Sequence, residues 1–156
     1  MRSHAARGVP LGGISVAVVR EAADRAIDMG AAIVLIKLGT EGVYFQTTTE
    51  MERLQACGAF APDPIAWRAV SGHAPCFEVE VAGTTGSGDC TIAGFLAALG
   101  KGLKPDEAAR MAVAVGAASV EQPDANSGVP PWDALVARMA AGWKRKKPRV
   151  TFPRVV

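Results

Sequence analysis

From Ser15 onward the apolar positions Val19, Ala22, Ala23, Ala26 and Ile27 recur at helical spacing, and Gly30 supplies a stop. This spacing predicts an amphipathic helix. Ala31 to Leu38 follows as AAIVLIKL, a short apolar run rich in β-branched residues and closed by Gly39, the pattern of a strand buried on both faces. The turn Gly39, Thr40, Glu41, Gly42 then leads into a second strand, Val43 to Gln46. Helix, strand and tight turn in this order predict an α/β layer.

Thr47 to Ala82 is less regular, with Pro62, Pro64 and Pro75 breaking any long element. Phe77 to Val81 alternates as FEVEV and reads as a strand. It runs into Gly83, Thr84, Thr85, Gly86, Ser87, Gly88 and Asp89, after which Ile92, Ala93, Phe95, Leu96 and Leu99 mark a helix that ends at Gly100. Pro105 suits a first helical position, and Asp106 and Glu107 complement the dipole of a helix that continues through Val120, with Pro123 beyond it. A last helix begins near Pro131, with Trp132, Leu135, Val136 and Met139 on one face. No internal repeat and no second-domain boundary is visible, so the expected organisation is a flexible lead-in over residues 1–14, one domain over 15–142 and a basic tail over 143–156.

With 156 residues, 49% hydrophobic and 21% charged, the chain has the size and balance of one globular domain. Seventeen basic residues against fifteen acidic ones leave a net charge of +2, too small to draw in nucleic acid or a membrane surface. The locally basic run Lys144, Arg145, Lys146, Lys147, Arg149 has no interleaved aromatic residues and reads as a solvated tail. Cys57, Cys76 and Cys90 form no CxxC pair and His4 and His73 stand far apart, so no metal site is expected. Without a signal-peptide pattern or a membrane-length apolar run, the expected compartment is the cytoplasm.

The chemistry concentrates between Gly83 and Asp89. Glycines at 86 and 88 permit a sharp turn and leave main-chain amides open, and the helix that follows adds its N-terminal amides and positive dipole end. An anion fits there. Asp89 lies in the first helical turn, where the dipole favours an ionised carboxylate. Phosphoryl transfer needs a pocket for charge and an acceptor for the hydroxyl proton, and this segment can supply both. The same residues admit a plainer reading, in which the glycines allow close packing and Asp89 is a helix cap.

The segment GTTGSGDCTIAGFLAAL, Gly83 to Leu99, resembles the C-terminal signature of the ribokinase-like (PfkB) carbohydrate kinases. By that resemblance Gly86, Ser87 and Gly88 form the anion hole and Asp89 is the base that activates the acceptor hydroxyl, while Cys90 is a small helix residue. IVLIKLGTEGVYF, Ile33 to Phe45, is similar to the family's strand, KxGxxG turn and strand, which implies Lys37, Gly39, Thr40 and Gly42 on the nucleotide side. The helix Asp106 to Val120 and the loop Glu121 to Pro130 correspond to elements that wrap the adenine, with Val115, Gly116, Ser119 and Asn126 as the implied contacts.

The resemblance implies an α/β, partial ribokinase-like fold: a Rossmann-like layered sheet flanked by helices, lacking the N-terminal half and lid. It implies ATP with Mg2+ as cofactors, a small sugar-like acceptor, and association either as a homo-oligomer or with a missing N-terminal half. The implied function is ATP-dependent phosphoryl transfer to a hydroxyl of a sugar or related small molecule. The alternative is a nucleotide-binding or regulatory module with weak or no catalysis. A dinucleotide-binding oxidoreductase is disfavoured, because no GxGxxG follows the first strand. One departure stands out: Gly83 occupies the place, four before Ser87, of an acidic residue that in the family often helps bind a monovalent cation.

Overall fold

Ser15 opens the first helix by accepting the Val18 amide hydrogen on its hydroxyl at 3.3 Å, and α1 runs Val16–Asp28. The structure, a computed structural model, describes residues 15–152. The lead-in expected over 1–14, with His4, lies outside them, as do the last four residues of the tail.

The apolar run supplies β1, Ile33–Lys37, which pairs antiparallel with β2, Val43–Thr47, through a 3-10 turn at Gly39–Glu41. A third strand, β3 (Ser71–Ala74), pairs antiparallel with β2, giving the order β1-β2-β3. Side chains alternate across this sheet with the period of two that extended backbone imposes. Tyr44, Val34 and Ile36 join Val19 and Ala23 of α1 in one apolar cluster. Val43, Phe45, Ile33 and Leu35 join the larger core on the other face.

That larger core is built around two helices, α4 (Ser87–Gly100) and α5 (Pro105–Ser119). Twelve of the fifteen residues of α5 are buried, the signature of a helix enclosed nearly all round. Small residues bring the two helices together: a methyl built on Gly94 would reach within 2.7 Å of Val115 Cγ2, and one on Gly116 would overlap Thr91 Oγ1. The last helix, α6 (Trp132–Ala140), returns over this core with Leu135 buried. Between β2 and β3 lie two short helices, α2 (Met51–Gln55) and α3 (Pro64–Trp67). Asp63 caps the latter, and Trp67 Nε1 donates to the Leu103 carbonyl at 3.1 Å from a buried position.

Three expectations change. The strand expected at Phe77–Val81 is a single bridge, Phe77 to Arg145, because only the C-terminal segment lies beside it. Alternation survives at its start, with Phe77 buried and Glu78 exposed. The strand expected at Ala31–Leu38 to be buried on both faces is an edge strand of intermediate exposure, since within the described residues β2 is its sole partner. The tail is docked rather than solvated: Glu78 N–H donates to Lys144 O and Lys146 N–H to Cys76 O, each at 2.8 Å, and Phe152 is buried. Lys144 and Lys147 do stay exposed, Lys144 pairing with Glu78 at the surface.

The C-terminal segment is anchored by stacking. Trp143 lies on Phe77 with ring centroids 4.4 Å apart, and the Arg138 guanidinium sits 3.7 Å from the Trp143 ring centroid. Arg138 also grips Glu121 with two nitrogens, at 2.5 and 2.7 Å, tying α6 to the loop after α5. This holds the Glu121 carboxyl below its usual range. A depressed carboxyl stabilises the fold above its unfolded value of about 4.3 and loses that contribution as pH falls through the folded value. Glu121→Gln is therefore expected to flatten part of the fall in melting temperature between about pH 5 and pH 3, by less than about 1 kcal/mol because both groups are partly exposed. Melting curves across that range check it; an unaltered acid limb in the variant contradicts it.

Candidate phosphate site

The helix α4 begins on Gly86, whose φ of +74° is left-handed and whose N-cap position carries no side-chain cap. A methyl there would press within 2.7 Å of the Ala125 carbonyl oxygen, so only glycine lets the loop after α5 lie against the helix start. Ser87 turns back on Thr84, whose carbonyl accepts the serine amide at 3.3 Å and the hydroxyl at 3.0 Å. The Cys90 amide closes onto Gly86 O at 2.8 Å. Among the described residues the Gly86, Gly88 and Asp89 amides donate to nothing, so the helix start keeps main-chain donors open for a ligand anion. Asp89 is exposed, and no described residue bonds or pairs with its carboxylate.

The second glycine turn meets the first through Lys37. At the end of β1, its ammonium nitrogen lies 2.7 Å from where a Gly88 methyl would stand. Glycine at 88 thus leaves the space that the lysine head occupies, and a cation is brought to the helix end where amides already point outward. Two residues on, the turn Gly39–Gly42 directs its carbonyls inward. Gly39 O accepts the Gly42 amide at 3.1 Å and the Cys76 thiol at 3.4 Å, and Glu41 O accepts from His73 Nε2 at 2.7 Å. The Gly39 and Thr40 amides are left without a described acceptor. Burial lowers the His73 pKa, which favours the neutral ring, so Nε2 carries the hydrogen that the carbonyl requires.

The residues implied on the adenine side fall into two groups. Val115, Gly116 and Ser119 are buried in α5: Val115 packs on Gly94, Gly116 lies beneath Thr91 and Ser87, and Ser119 Oγ donates to Gly116 O at 2.9 Å. They set how closely α5 approaches the start of α4. Asn126 is exposed in the loop beside Ala125, next to Gly86. That loop is shaped by Asp124, which accepts the Asn126 and Ser127 amides at 3.0 and 2.7 Å. The Ser127 hydroxyl and these amides hold the Asp124 carboxyl below its usual range.

Two features were not legible from the motifs. Thr84, Ala125, Cys76 and His73 orient the turns through main-chain or inward contacts, which leave no side-chain signature. At Gly83, where the family often has an acidic residue, a side chain would meet the Pro123 carbonyl at 2.8 Å. Beside the site, β1 and α4 border an apolar groove of about 450 Å³ lined by Ile33, Leu35, Phe95 and Leu99, with Lys37 at its rim and Ile92 and Leu96 partly exposed. No group of three metal-ligating side chains occurs among the described residues, and no described helix is long and apolar enough to cross a membrane.

Comparison with known proteins adds to this geometry. The family described as pfkB family carbohydrate kinase matches residues 5–132. The chain is similar to the 2-dehydro-3-deoxygluconokinase of Bacillus subtilis, with 29% identity over 119 residues covering 76% of this chain and 31% of that protein. Among solved structures, ribokinase from Thermotoga maritima superposes with a TM-score of 0.60 at 28% identity, over 78% of this chain and 34% of its own. Aminoimidazole riboside kinase from Salmonella enterica, solved with aminoimidazole riboside and an ATP analog, gives 0.55 at 26% identity, over 78% and 36%. The chain spans about a third of the length of the curated relatives it matches, 31% and 36%.

Proposed function

The chain belongs to the pfkB family of carbohydrate kinases, and from that premise we propose that it binds MgATP and takes part in phosphoryl transfer to a hydroxyl of a sugar-like small molecule. The observation that carries this reading is the meeting of Lys37 with Gly88. Two glycine turns some fifty residues apart in sequence each leave main-chain amides without an acceptor, and Lys37, two residues before one turn, reaches the other with its cation, a combination that suits a polyphosphate.

On this reading the Gly88 and Asp89 amides, with the positive end of α4, stabilise charge on the transferring group. Lys37 and the Gly39 and Thr40 amides hold the phosphates that stay with the nucleotide. Asn126 and the loop around it border the base. Asp89 accepts the proton of the acceptor hydroxyl as that oxygen bonds to the γ-phosphorus and the bond to the β-phosphate oxygen breaks, releasing ADP. Mg2+ arriving with the nucleotide would supply neutralising charge. The open edge of β1 and the adjoining groove offer a contact surface for association, either with a second copy or with an acceptor-binding half.

The test begins with binding. At 100 times its dissociation constant MgATP is expected to stabilise the domain by roughly 2.7 kcal/mol, read as a raised melting temperature that NAD does not reproduce. No shift at saturating millimolar MgATP refutes the nucleotide site. A second reading is a nucleotide-binding module without catalysis, favoured by the exposure of Asp89: water reaches the carboxylate, whereas efficient transfer excludes it. Binding of MgATP with no transfer to any member of a sugar panel selects that reading.

A further inference from the structure

We propose that the C-terminal segment 144–152 is a strap that fixes the Gly39–Gly42 turn, with Arg149 and Phe152 as positioning residues for the nucleotide; the nucleotide part rests on the function proposed above.

The strap touches both residues whose side chains bond to the turn's carbonyls, Cys76 and His73. Its Lys146 amide donates to Cys76 O at 2.8 Å, and the Cys76 thiol in turn donates to Gly39 O. Phe152 packs on the His73 ring with centroids 4.9 Å apart, and that ring donates to Glu41 O. The same phenyl lies 4.9 Å from Tyr44, the partner of His73 across β2 and β3, so it spans two strands rather than resting on one side chain. Arg149 reaches Glu41 directly: its amide donates to Oε2 at 2.8 Å and its guanidinium Nε lies 3.7 Å from Oε1.

The electrostatics give these contacts a purpose. Glu41 brings a carboxylate to the turn whose Gly39 and Thr40 amides have no described acceptor, and a bare carboxylate there repels phosphate. Arg149 neutralises it and draws it to the side of the strap. His73 and Cys76 keep the Glu41 and Gly39 carbonyls inward, so the Gly39 and Thr40 amides stay open. Loss of the strap both frees the turn to rotate and uncovers the repelling charge.

The experiment compares the 156-residue chain with a form ended after Lys147 and with Arg149→Gln, Phe152→Ala and Phe152→Tyr. Two readouts are taken: amide hydrogen exchange at Glu41 and Gly42, whose amides bond across the turn, and MgATP affinity by calorimetry. The shortened form, Arg149→Gln and Phe152→Ala are expected to exchange at least fivefold faster at these two amides and to bind MgATP at least fivefold more weakly, while melting cooperatively. Phe152→Tyr, which keeps the ring, is expected to restore both. Should the shortened form fail to fold, the point variants decide. Unchanged exchange overturns the strap, and faster exchange with unchanged affinity overturns its role in nucleotide binding. Failure of the full chain to bind MgATP overturns the nucleotide role together with the proposed function, and exchange then decides the strap alone.

Discussion

Asp89→Asn is expected to lower phosphoryl transfer to a sugar acceptor by about 10²- to 10⁴-fold, the range that general-base catalysis contributes. The substitution keeps the size of the side chain and the amide beneath it. Because no described residue bonds to the carboxylate, nothing in the fold depends on its charge beyond the dipole of α4, worth about 0.3–1 kcal/mol at an exposed site. MgATP affinity and melting temperature should therefore change little while the rate collapses. That separation distinguishes a base from a helix cap. An equal rate in the variant removes Asp89 from the chemistry; a large loss of stability makes it a structural residue.

Gly42→Ala is expected to destabilise the domain by about 3 kcal/mol or more, from two sources that add. Its backbone, at φ +99° and ψ −136°, lies where a side chain strains the chain by about 1–3 kcal/mol. A methyl there would overlap the Ala74 carbonyl oxygen and come within 2.9 Å of Pro75 Cα, and main chain cannot swing aside as a flexible side chain can. Gly30→Ala is the control, since φ is +108° and nothing lies within 4 Å of the added methyl, so strain acts alone. Denaturant melts of both variants separate the sources. Equal losses would show that the contact with β3 contributes nothing. The second glycine of the KxGxxG turn is thus needed by the sheet, whatever the phosphates require.

The sequence reading succeeded where one residue type has one structural use. Ser15, Gly30, Pro105 and Pro131 bracket helices because capping oxygens, left-handed backbone and a missing amide hydrogen leave few other places for them. Apolar spacing marked α4 and α6, and Pro105 with the acidic pair after it marked α5, each to within a residue or two. It failed where the outcome depends on a distant partner. Ser71–Ala74 reads SGHA, with no strand-forming residue, yet it pairs because β2 offers a free edge. FEVEV has the strand pattern and meets little to pair with. The basic run looked solvated because charge dominates it, while its hydrogen bonds are made by main chain.

The candidate site divides in the same way. Its glycines, Lys37 and Asp89 were legible as a motif, because amide exposure and a helix start are local properties. That Ser87 spends its amide and hydroxyl on Thr84 was not legible, nor was the burial of Val115, Gly116 and Ser119 against α4. The first is a local bond to a main-chain carbonyl that leaves no side-chain signature, and the second depends on how α5 closes over α4.

The contact between Arg149 and Glu41 joins residues 108 apart in sequence, whereas the β1-β2-β3 meander and the α4–α5 pair are made by near neighbours. Short segments close early and long ones late during folding, because the entropy of closure rises with the length of chain enclosed. The terminal segment is accordingly the last to settle and, having few buried contacts, the first to lift when the temperature climbs. Warming would slacken one wall of the cradle while the hydrophobic interior is still intact.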